Sequence, residues 1–168
     1  MEQAALAGKA GCCYIAPYVN ELRVHFDAEY QDLAPNFGLC VQAQRYYKAK
    51  GYKTIVLPAS LTSVEECMSL AGADAITISP PLLRGLSEDG WRAEKNRKGR
   101  WPSLFDDEVT EEKRRKEEEE WRLLEEVEVQ EKFRMMVTRR DGGRQEEKLI
   151  QAINIFADFQ AKLKALMV

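Results

Sequence analysis

The sequence has little of what metal and nucleic-acid sites require. It contains one histidine, His25, and its net charge is -3, so no basic footprint for a nucleic acid is present. The spacing of its four cysteines matches neither a zinc site nor a disulfide framework: Cys12, Cys13, Cys40 and Cys67. We therefore predict no metal ligand, no cofactor and no nucleic-acid partner.

Long apolar segments are absent as well. No run reaches the roughly 18 apolar residues that a membrane-spanning helix needs. The N-terminal stretch MEQAALAGKAG lacks the basic region and apolar core of a signal peptide. The sequence thus predicts a cytoplasmic protein without membrane contact. Cys12 and Cys13 lie in an apolar run, so we expect their thiols to be buried.

What the first half does contain is an alternation of short apolar runs and helical patterns. The runs at 12–16, 53–57 and 75–78 are typical of parallel strands buried on both faces. Helical patterns accompany them at 3–10, 39–50, 63–71 and from 82, with a further helix start at 19–26. Three strands would leave two open sheet edges, which indicates part of a larger sheet or barrel.

Local signals mark two helix ends in this half. Gly51 follows the pattern at 39–50 and is expected to end that helix. Ser63 and Glu66 form a capping box, in which the Ser63 hydroxyl accepts from the Glu66 amide and Glu66 returns a bond to Ser63.

The composition changes after residue 87. Residues 88–145 are rich in Glu, Lys and Arg, and the run at 108–134 favours a helix with i,i+4 ion pairs. Its sparse apolar residues indicate a solvated helical insertion, and a partner-binding helix is the alternative. Residues 146–168 form an amphipathic helix that is predicted to pack on residues 1–87.

Four stretches resemble the transaldolase family in order and spacing. They correspond to the sixth, seventh and eighth strands of its barrel and to its closing helix: AGCCYIAPYVNEL, RYYKAKGYKTIVLPASL, SVEECMSLAGADAITISPPLL and INIFADFQAKLKAL. The resemblance covers residues 3–86 and about 144–166. It implies an α/β fold that is a partial TIM (β/α)8 barrel of three parallel strands with helices, plus a long charged helix and a C-terminal amphipathic helix.

The resemblance also implies a reaction. Transaldolases transfer a dihydroxyacetone unit between sugar phosphates, in the pentose phosphate pathway, through a Schiff base on a lysine of the fourth strand. The stretches that resemble the family do not include that strand or the acid/base strands before it, so no catalytic residue is assigned. Met1 falls where the family has mid-chain sequence. We accordingly expect a truncated, catalytically incompetent fragment.

Substrate-binding residues follow from the resemblance at three positions: Tyr18, Arg23 and Ser60. Tyr18 stands at the pocket aromatic after the sixth strand, and Ser60 at the serine after the seventh. The family's two basic positions are Glu21 and Thr62 here, and Arg23 lies two positions beyond the first of them. Because a sugar phosphate needs cationic donors, phosphorylated substrates become doubtful even for a complete relative.

Three functions remain open at this point. In the first, the chain is a catalytically silent fragment that dimerises or covers its own open sheet edges. In the second, it is one part of a working enzyme that an N-terminal half completes. The third is a non-catalytic interaction or regulatory module, as a monomer or as an oligomer, in which residues 108–134 bind a partner. His25 is expected to be a surface or packing residue.

Overall fold

The structure, a computed structural model, describes residues 1–88, 102–106, 109–125 and 130–167. Two short strands pair within these ranges, β1 (Tyr14–Ile15) and β2 (Ile55–Val56). Two 3₁₀ turns, Leu22–His25 and Arg140–Gly143, connect larger elements. The α-helices in the described ranges are α1 (Glu2–Lys9), α2 (Phe37–Lys50), α3 (Val64–Ser69), α4 (Pro80–Ser87), α5 (Glu111–Glu125), α6 (Gln130–Arg139) and α7 (Arg144–Leu166).

The two strands form the parallel pair that the sequence predicts. Tyr14 lies opposite Ile55, and Ile15 lies opposite Val56. An isolated parallel bridge between Tyr18 and Ala59 continues the pairing beyond the strand ends. With α2 between them in the chain, β1 and β2 form a β/α/β unit, the building block of parallel α/β folds.

The prediction of a third strand at 75–78 is wrong, because no strand is formed there in the described residues. The segment nevertheless lies beside β2. The Thr77 amide donates to the Pro58 carbonyl at 2.9 Å, and the Val56 amide donates to Asp74 Oδ2 at 3.5 Å. A carboxylate thus takes the place of a ladder carbonyl, which leaves too few backbone bonds for a strand.

The sheet is buried on one face only, which corrects the prediction of strands buried on both faces. Val56 is fully buried on the helix-covered face, whereas Tyr14 and Ile55 are 56% and 38% exposed on the other. Cys12 and Cys13 are also exposed, against the expectation that they are buried. Their apolar run begins in the connection after α1, where the Cys12 amide bonds to the Ala7 carbonyl, rather than inside the sheet.

The core lies between α2 and the elements around it. Tyr46 and Tyr47 of α2 are almost fully buried, and the Tyr47 hydroxyl donates to the Ala4 carbonyl of α1 at 2.8 Å. Burial raises the pKa of the Cys40 thiol, on the same helix, to about 12. Gly51, at φ 69°, ends α2 in the left-handed conformation, as predicted from the sequence.

One of the two hydrogen bonds predicted for the capping box at α3 is confirmed. The Ser63 hydroxyl accepts from the Glu66 amide at 3.2 Å. The Glu66 carboxylate returns no bond to Ser63 within the described residues, and instead accepts from the Thr62 amide and from Asn20 Nδ2. Glu66 therefore ties α3 to the segment that follows β1.

The charged region is not solvated on all sides. Trp121 and Leu124 of α5 are buried, and Arg45 of α2 forms an ion pair with the buried Glu117 at 3.3 Å. The opposite side of α5 is exposed, so the prediction of a solvated helix holds for that side alone. Parts of the predicted insertion, residues 89–101, 107–108 and 126–129, lie outside the described residues.

Helix α7 contacts the first half through an ion pair and an aromatic contact. Lys148 binds Asp32 at 3.1 Å, and the ring of Phe159 lies 4.9 Å from that of Phe26. Its apolar side chains are 44–84% exposed: Leu149, Ile150, Ile153, Phe156, Phe159, Leu163 and Leu166. The amphipathic face predicted at 146–168 is therefore present but largely uncovered. None of the described helices has the length and hydropathy to cross a membrane.

Candidate functional site

The candidate site lies where β1 and β2 end. The Val19 amide donates to the Ala59 carbonyl at 2.9 Å, and the Ala59 amide donates to the Pro17 carbonyl at 3.0 Å. These bonds hold the two following segments side by side. Because side chains at the carboxyl ends of parallel strands meet at one edge, this edge is where ligands bind in parallel α/β folds.

Two of the three predicted binding residues stand at this edge. Tyr18 follows β1 and is 43% exposed, and its bridge partner Ala59 directly precedes Ser60. Tyr18 also lines a groove of about 690 Å³ between β1 and α7. An exposed aromatic ring and a hydroxyl group are thus brought to adjoining segments, although they are separated by 42 positions in the sequence.

Ser60 adopts a conformation that is rare for a residue with a side chain. Its φ is +64°, in the left-handed region. Asn20 fixes it there, because the Asn20 amide and Nδ2 both donate to the Ser60 carbonyl, at 3.3 and 2.9 Å. Asn20 Nδ2 also donates to the Glu66 carboxylate at 2.9 Å. A left-handed non-glycine residue costs free energy, of order 1–3 kcal/mol, that its surroundings must offset.

His25 was expected to be a surface or packing residue, and it is exposed but not isolated. Its Nε2 lies 2.8 Å from Ser60 Oγ, so the two side chains share a hydrogen bond. Thirty-five positions separate them in the sequence, and no spacing motif connects them. The contact brings the 3₁₀ turn Leu22–His25 next to the segment that follows β2.

Arg23 does not meet Ser60 through any contact in the described structure. Its guanidinium binds Asp27 at 2.6 Å and stacks over the Tyr30 ring at 4.5 Å. The hydrogen bond from Arg23, together with one from the Glu29 amide, lowers the pKa of the Asp27 carboxyl. Arg23 is therefore held in a local ion pair on the surface.

Glu21 and Thr62, which occupy the family's basic positions, have structural partners. The Glu21 carboxylate accepts from the Tyr30 hydroxyl and from Gln151 Nε2, at 2.5 and 3.1 Å. Its hydrogen bond raises the pKa of Tyr30 to about 12. The Thr62 amide donates to Glu66 at 2.7 Å. Neither position contributes a cation to the edge.

No lysine follows either strand, since residues 16–22 and 57–62 contain none. Lys53 precedes β2 and therefore lies at the opposite end of the sheet. Within the described residues no cluster of three potential metal ligands is formed. The edge thus offers hydroxyl, imidazole, amide and aromatic groups, which suit binding rather than covalent attack on a carbonyl.

Residues 1–142 of this chain match the model of the protein family "Transaldolase/Fructose-6-phosphate aldolase". A transaldolase of Actinobacillus succinogenes is 39% identical over 93 residues, which cover 52% of this chain and 29% of that protein. A transaldolase of Edwardsiella ictaluri is 37% identical over 99 residues, covering 55% and 31%. One of Yersinia pseudotuberculosis is 34% identical over 99 residues, again covering 55% and 31%. The chain spans about three-tenths of the length of these curated relatives.

Proposed function

The chain belongs to the transaldolase/fructose-6-phosphate aldolase family, and from this premise we propose that it is a transaldolase-like protein whose 168 residues do not turn over sugar phosphates by themselves. The family implies an α/β TIM barrel, and the parallel β/α/β unit is consistent with part of one. In the family's reaction a dihydroxyacetone unit is carried between sugar phosphates as a Schiff base. These residues would supply one part of that barrel.

One observation carries the proposal: the segments that follow β1 and β2, residues 16–22 and 57–62, contain no lysine. A Schiff base forms only when a deprotonated lysine reaches the substrate carbonyl, so the lysine must stand at the edge where the substrate binds. Lys148, which is partly buried, is held by Asp32 and the Ala34 carbonyl, at 3.1 and 3.0 Å. These bonds engage the Lys148 ammonium group away from a substrate carbonyl.

We assign Tyr18, Arg23 and Ser60 to substrate binding within this proposal. Tyr18 offers a wall for the apolar side of a sugar chain, and Ser60 offers a hydroxyl beside it. Arg23 would have to leave Asp27 to reach the substrate, so its contribution is expected to be the smallest of the three.

A borohydride trapping assay tests the catalytic part of the proposal. The purified chain is incubated with fructose 6-phosphate or free dihydroxyacetone, reduced, and weighed by intact mass spectrometry. We expect no added mass, because no lysine follows β1 or β2 and Lys148, which lines the groove beside Tyr18, is bound to Asp32, while a complete transaldolase treated in parallel gains a reduced adduct. An adduct on this chain would refute the proposal that it lacks turnover, and peptide mapping would identify the lysine.

The proposal includes a partner, a second β/α segment that pairs with the free edge of β1. The backbone groups of Tyr14 and Ala16 point away from β2, because alternate residues of a strand face each neighbour, and they make no hydrogen bond within the described residues. Unpaired edges of this kind accept another strand. Tyr14 and Ile55 also expose apolar side chains, as does α7. In a complete barrel, the other strands and helices would cover this apolar surface.

Association can be measured by sedimentation velocity. The chain is co-expressed with the part of the Actinobacillus succinogenes transaldolase that its match leaves out, and we expect a one-to-one complex. Tyr14→Lys is expected to weaken the complex at least about tenfold, since a charge on the edge opposes strand pairing. Leu83→Lys on α4 is the control, because Leu83 is similarly exposed on another element.

Two results would contradict the proposal that a second β/α segment pairs with the edge of β1. If the complex fails to form and the chain sediments as a homodimer, the free edge pairs with a second copy, which favours the alternative function of a non-catalytic oligomeric interaction module. If Leu83→Lys weakens the complex as much as Tyr14→Lys, the edge of β1 is not the site of association.

A further inference from the structure

The outer side of α5 carries charged residues in a regular order. The inner side of this helix contains the buried residues Glu117, Trp121 and Leu124. Since successive residues of an α-helix are rotated by about 100°, positions 112, 115, 119 and 122 lie on the opposite side, and all four are exposed. They alternate in sign and form what we call the charged seam: Glu112, Arg115, Glu119 and Arg122. Their spacing of three, four and three residues places them in one row along the helix.

The charges on this side are symmetric about position 117. Residues at equal distances before and after this position carry opposite charges: Glu112 and Arg122, Arg115 and Glu119, Lys116 and Glu118. A two-fold axis that crosses a helix at right angles brings each residue against the residue at its mirror position in a second, antiparallel copy. In such a pair of helices, every position named here would meet a charge of the opposite sign.

The two central residues of the charged seam have no ion pair within a single chain. Arg115 and Glu119 are one helical turn apart, yet neither forms an ion pair with any residue in the described part of the chain. Lys116, in contrast, binds Glu112 at 2.7 Å across one turn of the same helix. Arg115 and Glu119 can therefore bind a partner without first breaking a bond within α5.

The alternation of sign decides which kind of partner fits this side. A partner of one sign, such as a nucleic acid or a uniformly basic or acidic segment, would be repelled by half of the charged seam. A second copy of α5 in the antiparallel direction meets attraction at each of its positions. We propose that α5 pairs antiparallel with α5 of a second copy of this chain through the charged seam. This inference goes beyond the proposed function, because the outer side of α5 and the free edge of β1 are separate surfaces.

The small size of the contact sets its strength. Helix α5 has 15 residues and is therefore about 22 Å long, so a contact confined to it lies at the small end of specific interfaces, below about 1,200 Å². Exposed ion pairs contribute little individually, and dissolved salt screens them. The dimer is thus expected to be weak and to dissociate as the salt concentration rises.

Sedimentation equilibrium of the purified chain measures this association. In about 20 mM salt we expect a reversible equilibrium between monomer and dimer. In about 500 mM salt we expect the dimer to be at least about tenfold weaker, because the screening length falls from roughly 20 Å to roughly 4 Å. Tyr14→Lys is expected to leave this dimer intact, because Tyr14 lies on β1 and not on α5.

Two charge reversals test the register of the pair. Arg115→Glu places acids opposite each other and Glu119→Arg places bases opposite each other, so each variant alone is expected to dimerise at least about tenfold more weakly. An equimolar mixture of the two variants is expected to associate again, because opposite charges face each other at both positions of the mixed pair. Recovery in the mixture excludes misfolding as the cause of the loss. Lys164→Glu is the matched control, since it makes the same change in net charge at an exposed position of α7.

Three results would overturn the inference: a chain that stays monomeric at about 1 mM protein in low salt, a mixture that associates no better than its components, or an equal loss for Lys164→Glu and Arg115→Glu. A dimer that Tyr14→Lys abolishes would also overturn it, because that dimer forms through the edge of β1. None of these results alters the proposed lack of turnover, which the borohydride assay tests separately.

Discussion

Replacing Trp121 by alanine is expected to lower the free energy of unfolding by about 3–5 kcal/mol. Trp121 is 8% exposed and packs edge-on against the Tyr46 ring at 5.7 Å. Tyr46 is itself fully buried and contacts Tyr47 and Tyr52 at 5.9 Å each. Removing the indole therefore leaves a cavity beside Tyr46, and α5 loses a buried contact with α2.

Leu123→Ala provides the matched control for this experiment. Leu123 is two positions away on the same helix but 53% exposed, so its truncation is expected to change the free energy of unfolding by less than about 0.5 kcal/mol. Urea unfolding followed by circular dichroism measures both values. Equal effects of the two substitutions would mean that α5 does not pack through Trp121, and the charged segment would then be a solvated helix, as the sequence predicts.

This packing shows what the sequence could not supply for the charged region. The sequence of α5 is dominated by ion-pairing residues, so its periodicity indicates a helix but not a buried side. The burial of Trp121 and Leu124 depends on where α2 presents Tyr46, which is a tertiary contact across 75 positions. Local patterns carry no signal for such a contact, whereas the left-handed end of α2 at Gly51 follows from one residue type.

The sheet, too, could be predicted only in part from local sequence patterns. The apolar runs at 12–16 and 53–57 predicted the paired strands, because β-branched and apolar runs are a local signal. The run at 75–78 looked the same but forms no strand in the described residues, since Asp74 occupies one of its ladder positions. Exposure of Tyr14 and Ile55 on the open face also had no local signature.

The candidate site was predictable only in part. Tyr18 and Ser60 were expected from the resemblance, and their position after two paired strands follows from the parallel topology. The contact between His25 and Ser60 was not, because a histidine within an ordinary polar segment resembles any surface residue. The conformation of Ser60 was equally hidden, since a serine gives no sequence signal for a positive φ, unlike the glycine at the end of α2.

A buried ion pair between α7 and the loop after β1 has the second large expected effect. The Asp32 carboxylate is 2% exposed and accepts from Lys148 at 3.1 Å and from the Glu21 and Ala34 amides at 2.9 and 2.8 Å. Lys148→Met keeps the apolar stem but removes the only cation on this carboxylate within the described residues. An uncompensated buried charge destabilises strongly, so we expect a loss of about 3 kcal/mol.

The pH dependence of this loss has a definite sign. Burial alone would raise the pKa of Asp32, but hydrogen bonds from the Ala34 and Glu21 amides and from Lys148 outweigh it, so the pKa lies below the ordinary value of 3.8. A carboxylate whose pKa is depressed on folding stabilises the fold above its unfolded pKa. That contribution disappears as the pH falls through the folded pKa. The difference between the unsubstituted chain and Lys148→Met should therefore be largest near neutral pH and shrink in acid.

Lys164→Met is the control, because Lys164 lies on the same helix, is exposed, and is expected to change the unfolding free energy by less than about 0.5 kcal/mol. Urea unfolding of the three chains at neutral pH and below about pH 3.5 gives the comparison. A loss for Lys148→Met that stays constant across this range would contradict the role of the Asp32 charge. It would assign the effect to packing of the lysine stem, since burial of methylenes does not depend on pH. A loss that shrinks in acid would instead identify this ion pair as the main polar attachment of α7, whose apolar face is otherwise open.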